Sequence, residues 1–297
     1  MASKPDLFVG VTTWNSANFL SVCLGAIRKH TQNYNVQLAV VDNCSDDDSA
    51  QIAQKFGATV IVHRCRQGDA LNLLLSRSDA PYSLLLHSDV VLLNSQAVAI
   101  CMAKLDNHTV LVSPEDIGCG PYTRPFGVGK PESSFLFVAT KPFRRTAITI
   151  WKRWHLIPYA IRRLDFYGDH ISDRLPQRIS KRGYFWKPML VHASDHVEEP
   201  IYVPPFRPSV WSDELSYLRY GLGNFYSLDG VITHYHNWYD RLNLAVSEDS
   251  RETSGSDGTG FPLAYIRAYS TAFLRDYQAN GLVLPAALES TRIPVAL

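Results

Sequence analysis

From its seventh residue the chain alternates short, nearly continuous apolar runs with segments whose apolar residues recur at helical spacing. The runs are LFVGVTT, VQLAVVD, ATVIVH, YSLLLH and TVLVS, and they predict strands at 6–13, 36–42, 58–63, 82–87 and 109–113. The unbroken apolar character of VQLAVVD suits a strand buried on both faces. Between the runs, helices are predicted at 16–29 with Asn15 or Ser16 as cap, after Ser45, from near Gly68, and at 95–105. Strands alternating with helices build a parallel sheet, so the pattern predicts an α/β fold with a mostly parallel, Rossmann-like sheet flanked by helices. Ligands bind such sheets outside the carboxyl ends of the strands.

Beyond residue 114 the texture changes. GCGPYTRPFGVGKPE is rich in Gly and Pro, as loops shaped around a ligand are. A strand-like SFLFVAT follows, then an aromatic and basic helical region over 142–164 and a short helix over 174–182 that Gly183 terminates. Further helices are predicted at 211–226 and 261–280, and the polar SEDSRETSGSDGTG at 247–260 reads as a mobile loop or lid. The expected organisation is one half of a domain at 1–115, the second half of the same domain at 116–205, and a helical C-terminal extension at 206–297 that carries the loop.

Charge and cysteines narrow the class. The 297 residues carry 29 basic and 28 acidic side chains, a balance that argues against a dedicated nucleic-acid binder. Cys23, Cys44, Cys65, Cys101 and Cys119 are scattered with no CxxC pair, which points to reduced thiols and a cytoplasmic location. No apolar stretch approaches membrane-spanning length, although Trp151, Arg153 and Trp154 beside basic residues offer a peripheral membrane contact.

Candidate chemistry sits at the strand ends. The second run closes on Asp42 and the fourth on His87-Ser88-Asp89, so two carboxylates reach the same rim of the sheet. Asp42 can accept the imino N–H of a pyrimidine or paired donors on guanine, and it can equally close a turn. Asp46, Asp47 and Asp48 fall in a helix first turn, where acidic residues complement the positive helix end.

Taken together, these pieces resemble the family-2 glycosyltransferases, which have the GT-A fold and use nucleotide-sugar donors. Thr12-Thr13-Trp14-Asn15 is similar to the family's nucleobase-wrapping loop, and Val41-Asp42-Asn43-Cys44-Ser45-Asp46 to its strand-end motif. Gly68-Asp69-Ala70-Leu71-Asn72 resembles the G-G-A-L-N segment, and His87-Ser88-Asp89 stands where the family has D-x-D. The resemblance implies donor contacts from Thr12, Thr13, Asn15, Asp42, Gly68, Asn72, His87 and Ser88. It implies Mn²⁺ or Mg²⁺ held by Asp89, with the metal dependence qualified by His87 in place of the first Asp. Pro188-Met189-Leu190-Val191-His192 is similar to a strand ending in a metal-binding histidine, which implies His192 as a further ligand. His196 and the Thr233–Tyr239 cluster are rivals for that role.

The family's acidic motif precedes L-x-x-R-x-x-x-x-G, and Leu175, Arg178 and Gly183 fit that tail. Ungapped, the key acid falls on Ser172, which leaves Asp173 and Asp169 as candidate bases. The resemblance thus implies an inverting transferase moving a sugar from a UDP-, GDP- or dTDP-linked donor. The acceptor class stays open among glycans, lipid-linked sugars, proteins and small molecules, as do retention of configuration and oligomeric state. The rival expectation is a degenerate GT-A-like protein that binds nucleotide or sugar, or scaffolds partners, without turnover.

Overall fold

The computed structural model describes residues 4–116, 130–146, 175–192, 224–237, 273–275 and 277–278. The expectations placed on Trp151, Arg153, Trp154, Asp169, Asp173, His196, residues 211–223 and loop 247–260 lie outside these residues, as does Cys119.

The first half folds as its apolar pattern predicts. Strands β1 (Leu7–Thr13), β2 (Val36–Asp42), β3 (Thr59–Val62) and β4 (Tyr82–His87) alternate with helices α1 (Ala17–His30), α2 (Ser49–Lys55) and α3 (Gln67–Arg77). These strands pair in parallel in the order β3-β2-β1-β4. Every residue of β1 is buried because it is central and both faces are covered. Leu7, Val9 and Val11 pack with Phe19, Leu20, Cys23 and Leu24 of α1. Phe8 packs on the opposite face with Leu71, Leu74 and Leu75 of α3. This is the period-2 alternation of a strand between two helical layers.

Gly10 is where α3 comes closest to that strand. A Cβ there would meet Phe8 Cε1 at 2.9 Å, Leu74 Cβ at 3.0 Å and Leu85 Cδ2 at 3.0 Å. Only the missing side chain lets the helix seat at this depth.

The strand order fixes where a ligand can enter. Strand β2 lies on one side of β1 and β4 on the other, so the chain reverses its direction of winding between β1 and β4. The crevice at such a switch point, outside the carboxyl ends of the strands, is the binding place of open α/β sheets. Thr12 pairs with His87 across that boundary.

Beyond β4 the sheet continues in mixed form. Strand β5 (Val90–Leu92) follows β4 after Ser88-Asp89, then come α4 (Ala97–Lys104), β6 (Thr109–Asp116) and β7 (Lys130–Pro131). They are followed by β8 (Phe135–Ala139), α5 (Thr140–Arg144), α6 (Leu175–Ser180) and β9 (Phe185–His192). Strands β10 (Asn224–Leu228) and β11 (Val231–His236) close the set. The full order is β3-β2-β1-β4-β8-β6-β9-β10-β11-β5, with β7 on β6. Strand β8 runs antiparallel between β4 and β6, and β9-β10-β11-β5 is antiparallel throughout.

The expectation of a helical extension at 206–297 is corrected over 224–236, which form a hairpin of the main sheet. Its turn is Asp229-Gly230, with φ of 52° and 80°. A two-residue turn with both φ positive matches the twist of paired strands, and Asp-Gly supplies it at low strain. Residues 273–275 are helical as expected, and Phe273 stacks on Tyr235 with ring centroids 3.7 Å apart. Helix α6 ends as predicted, with Gly183 at φ +73° and its N–H bonded to Ser180 O at 2.9 Å.

Candidate functional site

The strand ends are held in place by a polar web between two loops. Asp42 Oδ1 accepts the Ser45 N–H at 3.1 Å and the Ser45 hydroxyl at 2.5 Å, closing the turn after β2. Asn15, at φ 46°, receives the Asp46 N–H on Oδ1 at 2.7 Å and donates its own N–H to Ser45 Oγ at 2.9 Å. Asp47 spans both helix starts: Oδ2 accepts the Ala17 N–H at 2.9 Å, and Oδ1 accepts Ser49 N–H at 3.0 Å. The expected cap of α2, Ser45, therefore belongs to the Asp42 turn, and α2 begins at Ser49. Ser16 is the N-cap of α1, as expected, its carbonyl taking the Leu20 N–H at 2.8 Å, while the side-chain bond to the first turn comes from Asp47 and not from Ser16.

Asp42 is 1% exposed, and among the described residues its hydrogen bonds fall on Oδ1 alone. Two strands away, His87 closes β4. Neighbouring strands lie roughly 4.8 Å apart, so Asp42 and His87 are separated by about 10 Å across the rim. Between them stand Thr12 and Thr13. The hydroxyls of Thr12, Thr13 and Ser88 are buried and find no hydrogen-bond partner among the described residues. A buried hydroxyl left unmet costs about 1–3 kcal/mol, so those of Thr12, Thr13 and Ser88 at this end of the sheet are groups a ligand would satisfy.

Helix α3 points its N-terminus at the same crevice, where the Gln67 side-chain amide touches the His87 imidazole. Gly68 is buried in that first turn and Asn72 is half-buried one turn on. A helix N-terminus carries partial positive charge and favours anions.

The densest chemistry lies where β4 gives way to β5. The Ser88 N–H bonds Thr12 O at 3.0 Å, the His87 N–H bonds Ser134 O at 3.0 Å, and the Asn237 N–H bonds Asp89 O at 3.0 Å. These bonds draw strands β1, β8 and β11 around the His87-Ser88-Asp89 corner. As a result His87, Asp89 and His236, all buried, bring one donor atom each within 4.8 Å of one another. His236 Nε2 lies 3.5 Å from Asp89 Oδ1, and the His87 and His236 rings meet edge to face at 5.9 Å. Two imidazoles and one carboxylate suit Mn²⁺ and similar borderline cations, so the donor set fits a divalent metal.

Glu132 lies behind this cluster. Its Oε1 is 2.8 Å from His236 Nδ1 and accepts the Ser134 hydroxyl at 2.6 Å, while Oε2 accepts the Tyr226 hydroxyl at 2.7 Å. Burial opposes its charge, yet the His236 charge and these contacts outweigh burial and hold the carboxyl below its usual range. Burial likewise opposes a proton on His236, and the Asp89 and Glu132 charges overcome it and raise that imidazole.

His234 behaves differently. Its ring is stacked between Phe135 at 4.2 Å and Tyr226 at 4.5 Å, and burial pushes its pKa down to about 3. Thr233 gives its proton to Tyr226 O and so accepts from His234 Nδ1–H at 2.9 Å. It is a neutral packing histidine, one strand position pair away from the cluster. His192 ends β9 opposite Phe225, in the row of Tyr235, whereas His236 stands opposite Asn224. The side chain of His192 lies outside the described residues.

The site thus gathers Thr12, Thr13, Asp42, His87, Ser88 and Asp89 at one rim, with Gly68 and Asn72 on the adjoining helix and Asn15 in the bordering loop. Sequence reasoning missed Gln67, Glu132, Ser134 and Tyr226. The one available signal was an acid in KPESS directly before an apolar strand, where a solvent-facing turn would ordinarily be polar without being buried.

Three solved structures resemble the fold in part. TarS residues 1–349 from S. aureus is 18% identical, with 49% of this chain and 50% of that chain covered at a TM-score of 0.37. Glucosyl-3-phosphoglycerate synthase from Mycobacterium tuberculosis, solved with Mn²⁺, UDP and glucosyl-3-phosphoglycerate, is 18% identical over 46% of this chain and 58% of that one, TM-score 0.38. The mannosyltransferase PcManGT from Pyrobaculum calidifontis, with GDP-Man and Mn²⁺, is 14% identical over 95% and 77%, TM-score 0.46. The chain spans only 50% and 58% of the first two of these proteins. No curated protein matches the chain. The sequence pattern described as Glycosyl transferase family 2 matches residues 8–159, just over half of the 297 residues, and the protein belongs to that family.

Proposed function

We propose that the protein transfers a sugar from a nucleotide-sugar donor to an acceptor hydroxyl, with inversion and with help from a divalent cation. The observation that carries this reading is the His87–Asp89–His236 cluster at the switch point of the sheet, two strands from Asp42. In it the Asp42 carboxylate reads the nucleobase from the far side of the crevice. Asn15 shapes the loop over the base, and Thr12, Thr13 and Ser88 offer hydroxyls along the path toward the diphosphate. The α3 N-terminus, with Gly68 in its first turn and Asn72 one turn on, lends positive potential to the same anion.

His87, Asp89 and His236 would hold Mn²⁺ or Mg²⁺, with His192 as the rival third ligand. A cation bound there acts as a Lewis acid on the departing diphosphate. The acceptor hydroxyl must lose its proton during in-line attack, and Asp173 is assigned that role ahead of Asp169. The solved relatives were captured with UDP or GDP-Man together with Mn²⁺, which supports testing those nucleotides first. The domain halves at 1–115 and 116–205 would supply donor and acceptor contacts respectively.

The test is calorimetric titration of UDP, GDP and dTDP with and without Mn²⁺, followed by release of nucleotide from the matching sugar donor. Mn²⁺-dependent binding of one nucleotide with turnover is expected. Binding without turnover in the presence of any acceptor would favour the degenerate binding protein, and no binding at all would overturn the donor site.

A further inference from the structure

We infer that Glu132 is a positioning residue that orients His236 for metal binding, so that the site is a carboxylate–histidine–cation relay rather than three independent donors. The inference rests on the metal reading above and concerns a residue that no sequence motif singled out. Glu132 is 6% exposed, and its carboxylate makes no contact with the crevice hydroxyls or with Asp89 among the contacts described for it. It approaches the opposite edge of the ring from the one facing Asp89: Nδ1 lies 2.8 Å from Glu132 Oε1, and Nε2 lies 3.5 Å from Asp89 Oδ1. A carboxylate at Nδ1 would keep the proton on that nitrogen and leave the Nε2 lone pair available to a cation shared with His87 and Asp89. Metal-binding histidines ordinarily depend on such a partner for tautomer and ring orientation.

The carboxylate is itself held on every side. Ser134 donates to Oε1 and Tyr226 to Oε2, so both oxygens are fixed before His236 is counted. Its backbone is tied to β6, with the Glu132 N–H on Pro114 O at 2.8 Å and the Ser113 hydroxyl on Glu132 O at 2.9 Å. Two residues later, Ser134 O takes the His87 N–H at 3.0 Å. The tripeptide Glu132-Ser133-Ser134 therefore sets two of the three donors at once, His236 through a side chain and His87 through the main chain. A residue present only for packing would need neither the charge nor the bonds to both oxygens.

The experiment measures Mn²⁺ binding to the full chain by electron paramagnetic resonance of the free ion, without nucleotide. It is paired with nitrogen-15 shifts of the His236 ring. Glu132→Gln keeps the shape and removes the charge, and it should weaken Mn²⁺ binding by roughly tenfold to hundredfold while shifting the His236 proton off Nδ1. Tyr226→Phe, which frees Oε2 but keeps the charge beside His236, should weaken Mn²⁺ binding less than Glu132→Gln does. If Glu132→Gln does not fold, Ser134→Ala carries the test by loosening the same Oε1, with weaker Mn²⁺ binding expected. Unchanged Mn²⁺ affinity and ring shifts in the folded variant overturn the role of Glu132 and leave the metal site standing. Failure of the wild-type chain to bind Mn²⁺ overturns both together.

Discussion

The carbonyl of Asp89 accepts the backbone N–H of Asn237 at 3.0 Å, and this bond sets the neighbouring His236 imidazole 3.5 Å from the Asp89 carboxylate. The two residues sit at opposite ends of the chain's organisation. Asp89 follows the last parallel strand of the first half, and His236 ends the second strand of a hairpin far downstream. What joins them is β5, a strand of three residues that leaves β4 and pairs with β11. The corner between β4 and β5 thus carries the His87–Asp89–His236 cluster and is also the seam between the parallel and antiparallel parts of the sheet.

The packing of α3 on β1 gives a stability prediction remote from the chemistry. Gly10→Ala places a methyl group 2.9–3.0 Å from Phe8, Leu74 and Leu85, closer than such contacts normally fall. Overpacking of this kind costs about 1–3 kcal/mol. Urea unfolding should show a lower midpoint with an unchanged slope, because compactness is unaltered. A midpoint equal to wild type would mean that α3 shifts freely on the sheet.

His30 predicts how stability depends on pH. It ends α1, is buried, and shares a 2.9 Å hydrogen bond between Nδ1 and Ser95 Oγ. Burial, reinforced by the Lys29 charge, lowers its pKa from 6.5 in the folded chain. The unfolded chain then binds more protons than the folded one below the ordinary value, so stability rises with pH in that window. The contribution of a neutral His30 is complete above 6.5 and is lost as pH falls through the lowered folded value. His30→Gln, which keeps a hydrogen-bonding group and cannot titrate, should flatten the wild-type loss of melting temperature between pH 7 and pH 5 by a measurable part. An identical slope in the two proteins would show that His30 does not titrate on unfolding.

The sequence disclosed the parallel half of the fold because its strands, with β1 and β4 buried along nearly their whole length, read as apolar runs with helices between them. Asp42 and Asp89 were legible for the same reason: each polar residue ended such a run. The antiparallel part was harder. NFYSL and VITHYH alternate around Asp229-Gly230, a strong hairpin signal, but Tyr220 and its neighbours continue the aromatic pattern and suggest a helix across 224–226. Histidines at 234 and 236 share one face by strand periodicity, yet one stacks between rings and the other meets Asp89. Nothing local distinguishes them, because the difference comes from which strand lies opposite. The acid in KPESS was visible but the role of Glu132 was not, since its partners Tyr226 and His236 arrive from a hairpin remote in sequence.

Asp42 carries two duties that mutation can separate. Its Oδ1 holds the Ser45 turn, and the proposed reading gives the rest of the carboxylate to the nucleobase. Hydrogen bonds to charged groups contribute about 1.5–3 kcal/mol, so Asp42→Ala should weaken binding of the matching nucleotide by roughly tenfold to 150-fold. Ser45→Ala loosens the turn and leaves the carboxylate, and its effect on affinity should stay within about threefold, under 1 kcal/mol. Calorimetric titration of both variants decides the matter. Equal losses would confine Asp42 to the turn.

The imidazole at position 87 predicts a metal preference. With His87, Asp89 and His236 as donors, the set holds two imidazoles and one carboxylate. Mn²⁺ accepts nitrogen ligands readily, whereas Mg²⁺ favours oxygen donors and keeps its waters. Wild-type protein should therefore bind Mn²⁺ in clear preference to Mg²⁺. His87→Asp exchanges one nitrogen for a carboxylate and adds a negative charge beside Asp89, which favours the harder ion. The ratio of Mg²⁺ to Mn²⁺ dissociation constants should fall by on the order of tenfold, about 1.4 kcal/mol. The substitution also removes the contact between His87 and Gln67, so a Gln67→Ala control is needed to separate loss of that contact from change of donor. A fall in the ratio for His87→Asp but not for Gln67→Ala places the position 87 side chain on the cation. An unchanged ratio in both would remove His87 from the donor set and leave Asp89 and His236 to bind with a ligand from the nucleotide.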